Sequence, residues 1–284
     1  MSLETHTYRS TKAIINTKAL RKNIRTMREL CPKSAMMAMV KANAYGHGII
    51  ECSRIAVEEG IDFLGVAFAS EAIQLRQAGI QSPIVLMTPP EASAFEAIID
   101  YSIETILCDN ESLQALSSMA TAKGKVVSVH VYIDTGMHRD GIMPEEVIGF
   151  VQEVQKAEGL NWKGICTHMA TADSKDTTFM NMQQTLFEDC LSALRNAGFI
   201  LPLVHSCNSA ASIRNPSYSQ SLIRLGLSIY GYSPVDDIAP ALEPVLSLVT
   251  GIVANRRIKK GESVSYGRSF ITSKDTNIAT IPIG

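Results

Sequence analysis

The sequence has no long apolar run, no strong charge of either sign and no paired cysteine motif. Among its 284 residues, no apolar stretch approaches the roughly 18 residues that a membrane-spanning helix needs. No basic start leads into an apolar segment, as it would in a signal peptide. The formal net charge of -2 gives no indication of nucleic-acid binding. These absences leave a globular enzyme as the expected class, with no membrane segment and no nucleic-acid partner.

The six cysteines are scattered, and no two of them have C-x-x-C spacing. Cys166 and Cys207 lie near predicted strand ends beside His168 and His205, but the spacing typical of a zinc site is absent. Free cysteine is commonly buried as a small apolar residue. We therefore predict no metal site, and a reducing, cytoplasmic location.

Short apolar segments alternate with longer segments of helical periodicity along most of the chain. Hydrophobic residues make up 46% and charged residues 19% of the sequence, which suits a substantial core. Repeated βα units call for a parallel sheet, and eight continuously apolar strands favour a (β/α)8 barrel. A doubly wound open sheet is the alternative, but no G-x-G-x-x-G follows an early strand. The predicted strands are residues 35–40, 63–66, 84–87, 105–108, 126–133, 162–167, 203–205 and 222–225. The predicted helices are residues 20–30, 49–59, 71–78, 112–122, 145–157 and 181–197.

The composition changes after about residue 243, where valine and isoleucine become frequent. Residues 259–262 are typical of a turn, and residues 263–270 and 278–283 of strands. We predict a barrel domain over residues 1–243 and the beginning of an antiparallel β domain over residues 244–284. A β fragment of that size rarely buries enough surface to be stable alone.

Polar residues follow most of the predicted barrel strands. Because barrel enzymes place their chemistry at the C-terminal ends of the strands, these residues are the candidates for an active face. They are Lys41, Thr88, Asp109, Asp134, His168, Asn208 and Arg224.

Residues 40–48 read V-K-A-N-A-Y-G-H-G, so that one lysine follows an apolar run and opens into a glycine-rich turn. A lysine in that place can form a Schiff base with an aldehyde such as pyridoxal phosphate. A lysine at a strand end beside an ordinary turn is the alternative. The whole string closely resembles the cofactor-lysine motif of the alanine racemases, pyridoxal phosphate enzymes of fold type III. The resemblance implies that Lys41 carries pyridoxal 5'-phosphate and that Tyr45 helps to bind it.

Residues 134–141 read D-T-G-M-H-R-D-G and resemble the D-T-G-M-x-R-x-G string of the same family. The resemblance implies that Arg139 orients the substrate side of the site; taken alone, it would be read as a surface arginine. Many family members carry a lysine, often carbamylated, two residues before the aspartate, and that lysine supports the arginine. Here that position is Tyr132, so we expect Arg139 to be held by a bound anion or by another side chain.

Two further strings follow the sixth and seventh predicted strands. T-H-M-A-T-A-D, at residues 167–173, resembles the family string whose histidine tunes the catalytic tyrosine, which implies that role and a cofactor contact for His168. Asn208 and Ser209 could simply cap a short helix, or they could bind a phosphate. Their N-S-A-A string resembles the phosphate site of the family, which favours phosphate binding.

Arg224, Gly226 and Leu227 belong to the string at the eighth predicted strand. Gly226 lets the backbone approach a ligand, so its N–H and that of Leu227 can serve a phosphate. The resemblance implies that Arg224 faces the pyridine nitrogen of the cofactor. Because arginine does not give up its proton, the ring nitrogen would stay unprotonated. That arrangement suits a reaction that only exchanges a proton, and it discourages transamination.

Residues 264–267 read V-S-Y-G in the predicted β domain. A tyrosine in a strand is usually a packing residue. The string resembles that of the family's second catalytic base, which reaches the active site of the partner subunit in a head-to-tail dimer. The resemblance therefore implies a homodimer in which Lys41 serves one face of the substrate Cα and Tyr266 the opposite face.

The resemblance spans essentially the whole chain through six motifs in the same order. It implies an isomerase, an alanine racemase that interconverts L- and D-alanine, the latter for peptidoglycan. Two alternatives stay open: a serine racemase of the vancomycin-resistance type, and a truncated barrel that binds the cofactor without turnover. Family members continue beyond this point, so the resemblance also implies a C-terminal truncation.

Overall fold

The computed structural model describes residues 8–238 and 240–283. Internal contacts divide them into a large unit over residues 17–245 and a small unit made of residues 8–16 and 246–283. The sequence-based division kept the first 16 residues with the barrel. In the structure, residues 12–15 form strand β1 (Lys12–Ile15), which belongs to the small unit. The outer limits of the two predicted domains, residues 1 and 284, lie outside the described residues.

The large unit is a nearly closed barrel of eight parallel strands, which confirms the predicted fold class. Apart from some end residues, every predicted strand is found where the apolar runs placed it. The strands are β2 (Ala35–Met39), β3 (Phe63–Val66), β4 (Ile84–Leu86), β5 (Glu104–Leu107), β6 (Val127–Tyr132), β7 (Leu160–Cys166), β8 (Leu203–His205) and β9 (Leu222–Leu225). Hydrogen bonds join them in the order β8-β7-β6-β5-β4-β3-β2-β9.

Helices surround these strands, and all six predicted helices are present within a few residues of their predicted ends. Side-chain caps fix the start of two of them: Asp109 accepts the N–H of Ser112 (2.6 Å), and Asn208 accepts that of Ala211 (2.9 Å). The helices are α1 (Thr17–Leu30), α2 (Ile49–Glu58), α3 (Ala69–Gln77), α4 (Phe95–Asp100), α5 (Asn110–Ala122), α6 (Val147–Lys156), α7 (Thr178–Asn196) and α8 (Ser209–Arg214).

Strands β8 and β9 end the hydrogen-bonded order, and they meet at a seam that side chains close. The Ser221 hydroxyl accepts the N–H of Val204 (2.5 Å) and donates to its carbonyl oxygen (3.0 Å). Further along, the Arg224 N–H donates to the Cys207 carbonyl oxygen (3.0 Å), and its guanidinium donates to that of His205 (2.9 Å). The barrel is therefore closed partly by the side chain that the sequence predicts to face the cofactor.

Side chains fill the barrel interior. One of them, an imidazole, occupies the space that a side chain on the neighbouring strand would otherwise take. Met37, Phe63, Val85 and Leu222 form one buried cluster across four strands. On β7, a Cβ atom at Gly164 would lie 2.0 Å from Nδ1 of the buried His130 on β6. The position of the His130 ring therefore requires glycine at position 164 on the adjacent strand.

The small unit consists of three antiparallel strand pairs. β1 pairs with β10 (Leu246–Val249), β11 (Ala254–Ile258) with β14 (Thr276–Thr280), and β12 (Ser263–Val264) with β13 (Phe270–Ile271). The predicted strand over residues 263–270 is interrupted, because Ser265 and Arg268 have positive φ angles of 59° and 50°. Residues Tyr266–Arg268 form a turn instead, so Tyr266 lies in a turn and not in a strand.

Two glycine substitutions test this packing. Gly164→Ala is expected to lower the free energy of unfolding by about 1–3 kcal/mol, because the new methyl group overlaps the His130 ring. Gly149→Ala, on the exposed face of α6, has no atom within 4 Å of the new methyl group and is expected to raise stability by about 0.5–1 kcal/mol. Urea unfolding of both variants measures the difference; equal effects would contradict the packing at Gly164.

Candidate active site

Lys41 opens a left-handed helical turn that directly follows β2. The four residues Ala42–Tyr45 have φ angles of 51–55°, none of them being glycine. Each such residue costs roughly 1–2 kcal/mol relative to a right-handed turn. Hydrogen bonds hold the turn: the Glu71 carboxylate accepts the Ala42 N–H (2.6 Å), and the Asn43 side chain accepts the Ile49 N–H (2.9 Å). A strained turn that the surroundings fix in this way is typical of a functional site.

The same turn places the Tyr45 hydroxyl against β9. A Cβ atom at Gly226 would lie 2.6 Å from that hydroxyl, so only glycine leaves room for it. The Gly226 N–H donates to the Ser209 hydroxyl oxygen at 2.9 Å. The Tyr45 ring packs against Tyr230, whose hydroxyl donates to the Met39 carbonyl oxygen (3.0 Å). The hydroxyl groups of Tyr45 and Ser209 thus meet the backbone at Gly226, where no side chain is present.

Arg224 is only 4% exposed, and both of its terminal nitrogens are committed to the protein. Nη1 donates to Nδ1 and to the carbonyl oxygen of His205, both at 2.9 Å. Nη2 lies within hydrogen-bonding distance of the Thr167 and Ser206 carbonyl oxygens (2.8 and 3.0 Å) and of His168 Nδ1 (3.1 Å). All of these partners are neutral acceptors, so no carboxylate offsets the charge of the guanidinium at contact.

His168 is held as a neutral imidazole with a known tautomer. Because guanidinium can only donate, Nδ1 of His168 must accept, and its proton lies on Nε2. Burial, reinforced by the positive charges of Arg224, Arg139 and Lys41, lowers the pKa of His168 to about 3. The imidazole is therefore a hydrogen-bond donor through Nε2 and not a cation.

These groups line one cavity of about 350 Å³ at the C-terminal end of the barrel strands. Nine of the ten residues predicted for the site lie in its wall, so the structure brings them together. They are Lys41, Tyr45, Arg139, His168, Asn208, Ser209, Arg224, Gly226 and Leu227. The tenth, Tyr266, belongs to the small unit, is 99% exposed and is not part of this wall.

The known proteins to which this chain is similar belong to one family. The profile described as "Alanine racemase, N-terminal domain" matches residues 15–234, and "Alanine racemase, C-terminal domain" matches residues 245–284. The chain belongs to the alanine racemase family. The alanine racemase of Treponema denticola is 36% identical over 282 residues, which cover 97% of this chain and 74% of that protein. Alanine racemase 2 of Bacillus subtilis is 39% identical over 281 residues, with coverage of 95% and 71%.

Solved structures of the alanine racemase family agree with this chain in fold. The alanine racemase of Clostridium difficile 630 matches with a TM-score of 0.91 at 33% identity, over 97% of this chain and 73% of that one. That of E. faecalis matches with a TM-score of 0.92 at 34% identity, over 100% and 77%. The chain thus spans about three quarters of the length of these relatives.

Tyr132 stands where the resemblance implies a lysine that supports Arg139, and a different side chain contacts Arg139 in this structure. The Tyr132 ring lies in the barrel interior, and its hydroxyl has no hydrogen-bond partner among the described residues. Burial raises the pKa of that phenol, so it carries no negative charge for Arg139. Instead, Arg139 Nε donates to the neighbouring Asp140 carboxylate at 2.9 Å. The expectation that another side chain holds Arg139 is therefore supported, with Asp140 as the partner.

Sequence reasoning missed several residues of this region. The cavity wall includes four methionines, and no pattern distinguishes these from core methionines. They are Met39, Met87, Met137 and Met169. It also missed the contact of His205 with Arg224; the only signal was the position of His205 at the head of the H-S-C-N-S-A string. His130 and Glu104, which continue that contact, carried no signal at all.

Within the part of the chain that the structure describes, no group of three or more histidine, cysteine, aspartate or glutamate side chains could hold a metal ion. Burial raises the pKa of Cys166 to about 12 and that of Cys207 to about 11, so both are held as neutral thiols. No helix within residues 8–238 and 240–283 combines the length and the apolar character that crossing a membrane requires.

The neutral state of His168 has a consequence for stability. In the unfolded chain its pKa returns to about 6.5, so below that value the unfolded chain binds a proton that the folded protein does not. Stability is therefore lost as the pH falls from about 6.5 towards 3. Between pH 7.5 and 5.5 this group lowers the free energy of unfolding by about 1.4 kcal/mol.

Urea unfolding of the wild-type protein and of His168→Asn at the two pH values measures this contribution. Asparagine can still accept from Arg224 but does not titrate, so the variant is expected to lose about 1.4 kcal/mol less than the wild-type protein. Above pH 7.5 the two stability profiles should run parallel, which is the internal control. Identical losses at pH 5.5 would show that folded His168 titrates normally.

Proposed function

We propose that the protein is a pyridoxal 5'-phosphate-dependent racemase that interconverts L- and D-alanine by a two-base mechanism. The observation that carries the proposal is the single cavity at the barrel mouth. One lysine, two arginines, a neutral imidazole and a cluster of hydroxyl groups line it, in a chain that belongs to the alanine racemase family. Related structures are described with cycloserine and with L-Ala-P bound, both of which resemble the small amino acid in size.

The residues present fit the cofactor. Tyr45, Ser209 and Gly226 meet at the cavity wall, where the Tyr45 hydroxyl occupies the space that a Cβ atom at position 226 would take, and these polar groups could hold a phosphate. Asn208 and Leu227 complete that place. When bound, pyridoxal phosphate supplies an aldehyde that joins an amino group covalently and a ring that withdraws electrons from the substrate Cα.

Arg224 is suited to the ring nitrogen of that group. Both of its Nη atoms bond to the protein, so Nε is the guanidinium nitrogen without a hydrogen-bond partner among the described residues. A guanidinium donates a hydrogen bond but does not release the proton. Arg224 would therefore keep the ring nitrogen of a bound cofactor unprotonated, which would limit electron withdrawal and favour return of the proton to Cα over transamination.

Two bases exchange that proton from opposite faces of Cα. Lys41 removes or returns it on one face, and Tyr266 of a second subunit does so on the other. The neutral His168, with its proton on Nε2, donates to the tyrosine oxygen and orients it. Arg139, held by Asp140, orients the substrate side. A site composed of two chains makes a homodimer the functional unit.

Trapping of the cofactor tests the role of Lys41. After incubation with pyridoxal phosphate and reduction with borohydride, peptide mass spectrometry is expected to find the pyridoxyl group on Lys41. In Lys41→Ala the label and the racemase activity should both be lost, because no other lysine lines the cavity. Lys156→Ala on the exposed face of α6 is the matched control and should keep both. Label on other lysines only would refute the cofactor assignment.

Mixing two inactive variants tests whether the site is shared between subunits. Lys41→Ala and Tyr266→Phe are each expected to be inactive. After subunit exchange, half of the dimers are mixed and each of these holds one intact site, so activity should return to about a quarter of the wild-type level. If Tyr266 acted within its own chain, mixing would restore nothing.

The same assays, run with alanine and with serine and with both enantiomers as starting material, decide between the proposed substrate and the serine alternative. Alanine is expected to be the faster substrate. Trapped cofactor without any racemisation would favour the alternative of a barrel that binds the cofactor but does not turn over.

A further inference from the structure

A hydrogen-bonded row of three side chains leads from Arg224 to the opposite end of the barrel. Arg224 Nη1 contacts His205 Nδ1 (2.9 Å), His205 Nε2 contacts His130 Nδ1 (2.9 Å), and His130 Nε2 contacts the Glu104 carboxylate (3.0 Å). Both imidazoles are fully buried, and the Glu104 side chain is 14% exposed. Glu104 is the first residue of β5, so the row ends at the N-terminal rim of the barrel.

The chemistry of the two ends allows only one direction of donation along this row. A guanidinium has no acceptor, so His205 Nδ1 must accept and His205 Nε2 must carry the proton. His130 Nδ1 then accepts from it, and His130 Nε2 donates to the carboxylate. Both histidines are thereby neutral Nε2–H tautomers, and protonation of either would place two donors face to face.

The barrel is built around this row. The His130 ring occupies the space that any side chain on β7 at position 164 would take, and position 164 is glycine. The row also joins opposite charges: the cationic Arg224 lies at the cavity, and the anionic Glu104 lies at the far rim. Removing the carboxylate would leave the His130 N–H buried and without an acceptor, which is unfavourable and promotes rearrangement of the rings.

We propose that Glu104 and His130 are positioning residues that act through His205 to fix the orientation of the Arg224 guanidinium at the cavity. Neither residue lines the cavity, so neither touches substrate or cofactor. If the Glu104 acceptor is lost, the His205 ring can rotate or change tautomer, and Arg224 loses one of its fixed acceptors. The effect on catalysis rests on the proposed racemase function; the order of donors and acceptors does not.

The order of donors is tested directly in the protein labelled with 15N-histidine. Long-range 1H–15N correlation spectra at pH 7 are expected to show His130 and His205 as neutral Nε2–H tautomers, with assignments from His130→Gln and His205→Gln. An Nδ1–H tautomer or a protonated ring at either position would overturn the proposal. This measurement needs no activity and no cofactor, so it stands whether or not the racemase assignment does.

The positioning role is tested by two substitutions of the same residue. Glu104→Gln keeps an acceptor for His130 and is expected to retain the tautomers and a kcat within about twofold of wild type. Glu104→Leu removes the acceptor; it is expected to mix the His205 tautomers and to lower kcat about tenfold, while KM for alanine stays within about twofold. Glu111→Leu, at the exposed start of α5, is the control for loss of a carboxylate near the barrel.

Three results would contradict this role. The first is a folded Glu104→Leu variant with wild-type kcat and an unchanged His205 spectrum. The second is an equal loss of kcat in Glu104→Gln and Glu104→Leu. The third is a loss confined to KM. Should Glu104→Leu fail to fold, the wild-type spectra and the Gln variant still decide, because only the proposed row requires rescue by an uncharged acceptor.

Discussion

The guanidinium of Arg224 is the interaction on which most of the barrel mouth depends. It joins the carbonyl oxygens of β7 and β8 from β9, at the seam where the parallel sheet has no ladder of its own. The same group fixes the tautomer of His168 and lines the cavity. The same side chain therefore closes the barrel and places a positive charge in the cavity wall. A substitution of Arg224 would disturb the seam as well as the chemistry. Since a buried cation with neutral partners is expensive, the carbonyl oxygens that surround it are a requirement of the fold.

After β2, the strand paired with that of Arg224, the chain accepts backbone strain. Four consecutive left-handed residues after Lys41 cost several kcal/mol together, roughly 1–2 kcal/mol each. The turn aims Tyr45 at Gly226 while Lys41 stays at the cavity. A right-handed turn over the same residues would reverse the direction of these side chains. The packed barrel interior offsets that cost, which explains why strain of this size is confined to a segment anchored by Glu71 and Asn43.

The barrel could be predicted from the sequence because its signal is local: each buried strand is a short apolar run, and each predicted helix has its own apolar periodicity. The site residues were predicted through motifs, which carry order along the chain but not geometry. Features that depend on residues far apart in the sequence could not be predicted from it. β1 is defined only by pairing with β10, and the row from Arg224 to Glu104 joins four strands. The turn at Tyr266 depends on positive φ angles at Ser265 and Arg268. Neither residue type indicates a positive φ angle from the sequence alone.

The two arginines of the cavity differ in what holds them, and this difference matches separate tasks. Arg139 is bonded to the Asp140 carboxylate, so its charge is partly compensated, and its side chain is 52% exposed. Arg139 therefore keeps the freedom to reorient that its proposed role on the substrate side requires. Arg224 is buried among neutral acceptors and keeps its full charge in a medium of low dielectric. It is thus fixed in one orientation, as its proposed role at the ring nitrogen requires. Because the Tyr132 phenol is neutral, the negative partner of Arg139 comes from its own loop, through the Asp140 carboxylate.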